Sequence, residues 1–322
     1  MSGTTIEFHS VSKRFGAVEA VNGLSFTVPP GVVTGFLGPN GAGKTTSIRM
    51  LLGLVRPSSG SATFGGVPYA QLERPLATVG TALEASSFHP GRSARNHLRI
   101  FAAAAGIPAP RIEEVLHLTG IGDVADRRVG GFSLGMRQRL GLAFALMGDP
   151  EVLVLDEPVN GLDPEGIRWM RELLGHLSSE GRTVLVSSHL LSEVQQTVER
   201  VVIIARGAVV YEGTLDSLES AVRVSVLVDS PDRDALRAAI ENAGLGLVAS
   251  SVSGLTVAGT AQDVGAVALR AGVSLSLLVP ERANLEDVFL SLVGVGGAAA
   301  GSWAAPDPTR GTSTDPGPGV QP

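Results

Sequence analysis

Nine consecutive residues, Gly38-Pro39-Asn40-Gly41-Ala42-Gly43-Lys44-Thr45-Thr46, constrain this chain more tightly than any other feature. They fit the pattern G-x-x-x-x-G-K-[ST]. The apolar, β-branched run Val33 to Leu37 precedes them, and in the segment 43–54 that follows, Ile48, Leu51 and Leu52 share a helical face that Val55 continues. Arg56-Pro57-Ser58-Ser59-Gly60 then stops the helix. A strand feeding a glycine loop that opens a helix is a phosphate cradle. Glycines let backbone N–H groups converge, and the helix amino terminus adds a favourable dipole. Lys44 reaches the β- and γ-phosphates, and Thr45 can ligate Mg²⁺. A glycine-rich turn that merely joins strand to helix would look similar, but residue frequencies put a chance match well below about one in a hundred. Lys13 and Lys44 are the only lysines, although Lys and Arg together number 25. Lysine therefore persists where a compact point charge is needed and the planar arginine fork does not fit.

Ile6 to Ser10 and Leu24 to Val28 read as short strands, and Val152 to Leu155 and Thr183 to Ser187 as continuous apolar strands. Each of the latter two is followed by a polar turn and a helical pattern, which predicts buried parallel strands in an α/β core with helices on both faces. Val152-Leu153-Val154-Leu155-Asp156-Glu157-Pro158 delivers two adjacent carboxylates at a strand's carboxyl end, where ligands bind in open α/β sheets. There Asp156 would hold the Mg²⁺ shell and Glu157 would polarise an attacking water, since in-line phosphoryl transfer needs an oriented nucleophile. Taken alone, the pair also fits an acidic turn capping the next helix.

Between these motifs lies Phe132-Ser133-Leu134-Gly135-Met136-Arg137-Gln138-Arg139-Leu140, which by itself also reads as an N-capped helix. Its place in the order of motifs resembles the signature loop of ATP-binding cassette (ABC) proteins, usually written L-S-G-G-Q. Leu134 replaces the first glycine, and Met136-Arg137 replaces the usual polar continuation. Gly80 to Leu98 with Glu84, Phe88 and Pro90, and Asn284-Leu285-Glu286-Asp287-Val288-Phe289-Leu290, resemble the cassettes of drug and antibiotic exporters of the daunorubicin-resistance and bacitracin type.

The resemblance covers residues 5 to 215 and implies the P-loop ABC ATPase fold: a RecA-like core, an antiparallel β subdomain near the amino terminus, and an α-helical subdomain around residues 85 to 145. It implies that the Phe15 ring stacks on adenine, that Ser133, Leu134, Gly135 and Met136 meet ATP held by the opposing subunit, and that Glu84 stands at the Q-loop position. It implies that Asp163 in Asn160-Gly161-Leu162-Asp163 belongs to the loop crossing the dimer interface, and that His189 contacts the γ-phosphate. The cofactors expected are ATP and Mg²⁺. One set of motifs without an internal repeat implies that the second cassette comes from another chain; a homodimer closing on two ATP molecules, with the isologous pairing of a C2 dimer, is the economical choice beside a heterodimer. The partner expected is a separate membrane-spanning permease, and the function expected is ATP hydrolysis that powers efflux of a drug, antibiotic or other hydrophobic compound. The alternative is a regulatory or non-transport cassette ATPase.

Composition narrows the field further. At 322 residues the chain suits one large domain and a smaller one. A net charge of −6 argues against nucleic acid as a partner. The absence of cysteine excludes disulfides and thiolate chemistry and suits a reducing compartment. With no run of roughly 20 apolar residues to span a bilayer, the expected location is cytoplasmic, on the inner face of the cell membrane through the permease. The boundaries expected are 1–218 for the ATPase domain, 219–294 for a small α/β domain, and 295–322 for a disordered Gly/Ala/Pro-rich tail. Within the second domain, Val222 to Val226, Gly254 to Val257 and Val273 to Leu278 read as strands, and Asp234 to Asn242 as a helix.

Overall fold

A computed structural model describes residues 3–83, 88–220, 224–282 and 285–295. The amino-terminal strands β1 (Ile6–Phe15) and β2 (Val18–Val28) form an antiparallel hairpin. Both run further than the apolar pattern suggests, because the hairpin tip carries polar Lys13, Arg14 and Glu19 outside the core. β3 (Val33–Leu37) leads into the glycine loop and α1 (Lys44–Leu51), and β4 (Ser59–Phe64) returns to pair with β1. α2 (Pro75–Thr78) and β5 (Val79–Ala82) follow. Then come α3 (Ala94–Ala105), α4 (Pro110–Leu118) and α5 (Leu134–Ala145), the expected helical subdomain. β6 (Val152–Asp156), α6 (Pro164–Ser179), β7 (Thr183–Ser188), α7 (Leu191–Val194), β8 (Arg200–Ala205), β9 (Ala208–Thr214) and α8 (Leu215–Ser220) complete the ATPase region.

The central sheet has the order β5-β6-β7-β3-β8-β9, parallel except for β9, which runs antiparallel to β8. Every residue of β3, β6 and β7 is buried, because both faces are covered. Alternation sorts their side chains. Leu37, Leu153, Leu155, Val184 and Val186 face the helical subdomain and α6. Phe36, Val152, Val154 and Leu185 face α1 and the antiparallel sheet. Phe36 stacks on Phe26, which stacks on Phe8, with ring centroids 5.2 and 4.4 Å apart, so aromatic packing ties the two sheets together. Each fully buried aliphatic side chain contributes about 1.5–3 kcal/mol at most. A charge at Val154 would sit without a partner in this core.

The carboxyl-terminal part comprises β10 (Val224–Asp229), α9 (Arg233–Asn242), β11 (Leu247–Ser251), β12 (Gly254–Ala258), α10 (Ala261–Ala271) and β13 (Leu277–Arg282). Its sheet, in the order β11-β12-β10-β13, is antiparallel throughout, a ferredoxin-like β-α-β-β-α-β unit with its own core of Val226, Val228, Leu236, Ile240, Leu255, Val257 and Val264. β13 starts later than the apolar run from Val273 suggests. α10 ends at left-handed Gly272, and Val273 is spent closing the helix by donating its N–H to the Ala268 carbonyl. The last helix, α11 (Leu285–Val295), leaves this unit. Phe289 is buried in the ATPase core against α7, β8 and β9, with Leu285, Val288 and Leu292 beside it. The closing helix is thus bound into the first domain's core. The tail expected to be disordered lies, beyond Val295, outside the described residues. No helix among the described residues is long and apolar enough to cross a membrane.

Candidate functional site

The carboxyl ends of β3, β6 and β7 open onto one cleft of about 450 Å³, lined by the glycine loop, Ala20, Glu157, Asn160 and His189. Gly43, the N-cap of α1, has φ +109°, and a Cβ there would stand 2.7 Å from the Ala20 carbonyl oxygen. Only glycine fits this tight approach, which leaves the first N–H groups of α1 free to point at an anion. The buried Lys44 ammonium folds back to donate to the carbonyls of Gly38 at 2.5 Å and Pro39 at 3.5 Å. It also stands 3.7 Å from Glu157 Oε1. Burial holds this ammonium below the usual lysine range, opposed by the carboxylates of Glu157 and Asp156.

Asp156, buried at the end of β6, is held from two sides. Thr45 Oγ1 donates to its Oδ2 at 3.0 Å, and Ser187 Oγ makes a short hydrogen bond to its Oδ1. Ser187 also accepts the N–H of Glu157 at 3.0 Å. That bond fixes Glu157 in the left-handed region at φ +52°, an unfavourable conformation for a residue with a Cβ. The turn aims the Glu157 carboxylate at His189, whose Nδ1 is 2.9 Å from Oε2. Glu157, His189 and Glu193 each bring a ligand-capable atom to within 4.8 Å of one another. Glu193 in turn accepts from Ser188 Oγ at 2.7 Å, tying α7 back to the His189 turn.

Thr45 and Asp156 offer a hydroxyl and a carboxylate within hydrogen-bond reach, a hard-oxygen donor pair of the kind Mg²⁺ prefers. Nothing in the sequence marks Ser187, although it supports both carboxylates at once. Serine at a strand end is too common to signal such a role. Asn160 and Ala20 line the cleft as well, and neither residue type marks such a place in the sequence.

Other expected site residues lie at the periphery. Phe15 ends β1 outside the lining of the cleft, 51% exposed, with Lys13 Nζ 4.9 Å from its ring centroid. Its ring is therefore not part of the core. Ser133 caps α5, accepting from Met136 N–H at 3.2 Å, and Leu134, Gly135 and Met136 form the helix's first turn. Asp163 caps α6, accepting from Gly166 N–H at 2.8 Å. Neither Ser133 nor Asp163 lines the cleft of its own chain. Glu84 lies outside the described residues.

A family model described as ABC transporter matches residues 21–160, and one described only as a domain of unknown function matches 224–286. The chain is 44% identical over 223 residues to the bacitracin transport ATP-binding protein BcrA of Bacillus licheniformis, covering 68% of this chain and 73% of that one. It is 38% identical over 301 residues to the Nod factor export ATP-binding protein I of Burkholderia lata, covering 90% and 97%. The lantibiotic transport ATP-binding protein SrtF of Streptococcus pyogenes is 36% identical, covering 67% and 93%. Among solved structures, the ATP-binding subunit of an ABC transporter superposes with a TM-score of 0.61 at 26% identity, over 67% of this chain and 92% of that one. A dimeric bacterial ABC transporter cassette shares the fold, with a TM-score of 0.60 at 22% identity over 65% and 98%. With the phosphate loop, the paired carboxylates and His189 assembled on this fold, the chain belongs to the ABC transporter family, as one of its ATP-binding, ATP-hydrolysing subunits.

Proposed function

We propose that two copies of this chain close on two ATP molecules and drive a separate permease that exports a drug, an antibiotic or another hydrophobic compound. The observation that carries this reading is the convergence of Lys44, Thr45, Glu157 and His189 on one cleft, with Asp156 buried behind Thr45 and hydrogen-bonded to it. Bound phosphates would draw Lys44 away from the Gly38 carbonyl and from Glu157. Glu157 would then be free to orient water in line with the γ-phosphate, with His189 beside it. Thr45 and Asp156 would hold Mg²⁺, which neutralises charge developing on the phosphate oxygens. Ser133 to Met136 would complete the site across the dimer, and Phe15 would carry the adenine.

Export is supported by relatives named for bacitracin, lantibiotic and Nod factor transport. The permease contact we assign to the apolar cleft of about 390 Å³ between β5, α3 and α5, lined by Val79, Gly80, Phe101, Ala105, Phe144 and Met147. That cleft adjoins the strand leading to position 84, and it would keep the chain on the inner face of the membrane. The test is reconstitution with the permease in proteoliposomes. Export predicts that ATP on the cassette side drives a lanthionine or bacitracin-type peptide away from that side, with hydrolysis stimulated by the peptide. ATP-driven movement toward that side, or hydrolysis indifferent to every such peptide, would refute it.

A further inference from the structure

Leu134, which departs from the family's usual glycine, is 48% exposed, yet its end is not loose. It fills the space beside Gly161, in the loop that follows Glu157. A Cβ on Gly161 would stand far inside van der Waals contact with Leu134 Cδ2 and 2.8 Å from Cγ, but 3.6 Å from Leu134 Cβ, which is ordinary contact. The fit is reciprocal, since Leu162 Cδ2 lies 3.4 Å from where a Cβ on Gly135 would be. Each loop therefore presents a leucine to the other's glycine. Two hydrogen bonds extend the link: Gln138 Nε2 on α5 donates to the Asn160 carbonyl at 3.4 Å, and Asn160 N–H donates to the Glu157 carbonyl at 3.2 Å. Asn160 itself lines the nucleotide cleft.

We infer that Leu134 is a positioning residue, which locks the first turn of α5 to the 160–162 loop so that movement of Ser133 to Met136 is passed to Glu157 of the same chain. The inference rests on the reading that Ser133 to Met136 engage ATP on a second copy. A glycine at 134 would leave the two loops free to slide. The side chain at 134 and the missing one at 161 are thus a matched pair, and either alone is a mismatch. The contact is made by Cγ and Cδ of Leu134, so Leu134→Ala removes it without placing glycine in the helix.

A double-mutant cycle on the full chain tests this, comparing Gly161→Ala, Leu134→Ala and both together by kcat and KM for ATP, with melting temperature as a control. Gly161 has φ +76°, so alanine there carries a backbone penalty that does not depend on Leu134, and the cycle subtracts it. The expected result is a kcat about tenfold lower for Gly161→Ala with KM within about twofold, and a loss of only about twofold when Leu134 is already alanine. Equal fold-losses in both backgrounds would overturn the inference. Should Gly161→Ala fail to fold, Leu162→Ala with Leu134→Ala gives a clash-free cycle, where coupling between the two is expected and independent effects overturn it. Read in a Glu157→Gln background, the same cycles report the ATP-driven dimer fraction. If the wild type does not hydrolyse ATP and Glu157→Gln does not dimerise in it, the reading of the site fails and the inference falls with it; if both occur but the effects are independent, the inference alone fails.

Discussion

His189 Nδ1 stands 2.9 Å from one oxygen of Glu157, while the Lys44 ammonium stands 3.7 Å from the other. The carboxylate that would orient water is thus held between an imidazole and an ammonium at the ends of three adjacent strands. Removing His189 leaves phosphate binding to Lys44 and the glycine loop intact. His189→Ala is expected to lower kcat about 10²-fold with KM for ATP changed less than about threefold, as for loss of a group that acts only in the transition state. Steady-state ATP hydrolysis checks it.

Ser187→Ala removes the hydroxyl that supports Asp156 and accepts the Glu157 N–H. Outer partners of metal ligands are worth about 10–100-fold in metal affinity. The Mg²⁺ concentration for half-maximal hydrolysis is expected to rise about tenfold, with nucleotide binding measured without Mg²⁺ unchanged. Titrating Mg²⁺ against turnover at saturating ATP tests this.

Lys44 gives a pH signature in the nucleotide-free protein. Burial lowers its pKa from 10.5, so the folded state releases the proton before the unfolded state does. Within the window between the folded value and 10.5, the unfolded state holds more protons and stability rises with pH; below that window the cost of the buried charge is constant. Wild type is therefore expected to gain on Lys44→Met as pH climbs toward 10.5. Urea midpoints of the two proteins across that range check it, and the variant should bind no ATP.

Much of this site is legible in the sequence because each of its main groups sits where an apolar strand stops. Asp156 and Glu157 end β6, His189 follows β7, and Lys44 follows the loop after β3. Register does the rest, setting Asp156 opposite Ser187 and Leu37 opposite Ser188. Ser187 escapes notice because nothing in its neighbours marks which hydroxyl will face a carboxylate. The leucine at 134 is visible as a departure, but its compensating glycine at 161 reads only as a turn until the two loops are brought together. α11 shows an apolar face in the sequence, yet amphipathicity says that a face is buried, not against what. Its partners, α7 and β8, lie about 90 residues earlier.

That placement has a stability consequence. Phe289 is buried in the ATPase core, and a phenylalanine-to-alanine change at such a site costs about 3–5 kcal/mol. Phe289→Ala is expected to lower the unfolding midpoint of the ATPase region itself. Hydrogen exchange should show lost protection in α7 and β8, while the ferredoxin-like unit, with its separate core, keeps its own.

The most direct test of the central claim compares the purified chain with Glu157→Gln, by Mg²⁺-dependent ATP hydrolysis and by size-exclusion chromatography in ATP. The glutamine keeps the shape and the left-handed turn but cannot take a proton from water. The account predicts that the wild type turns over, and that the variant loses at least about 10²-fold in kcat and accumulates as an ATP-bound dimer. A variant that hydrolyses ATP at the wild-type rate, or a wild type that hydrolyses ATP while Glu157→Gln stays monomeric in saturating ATP, would contradict it.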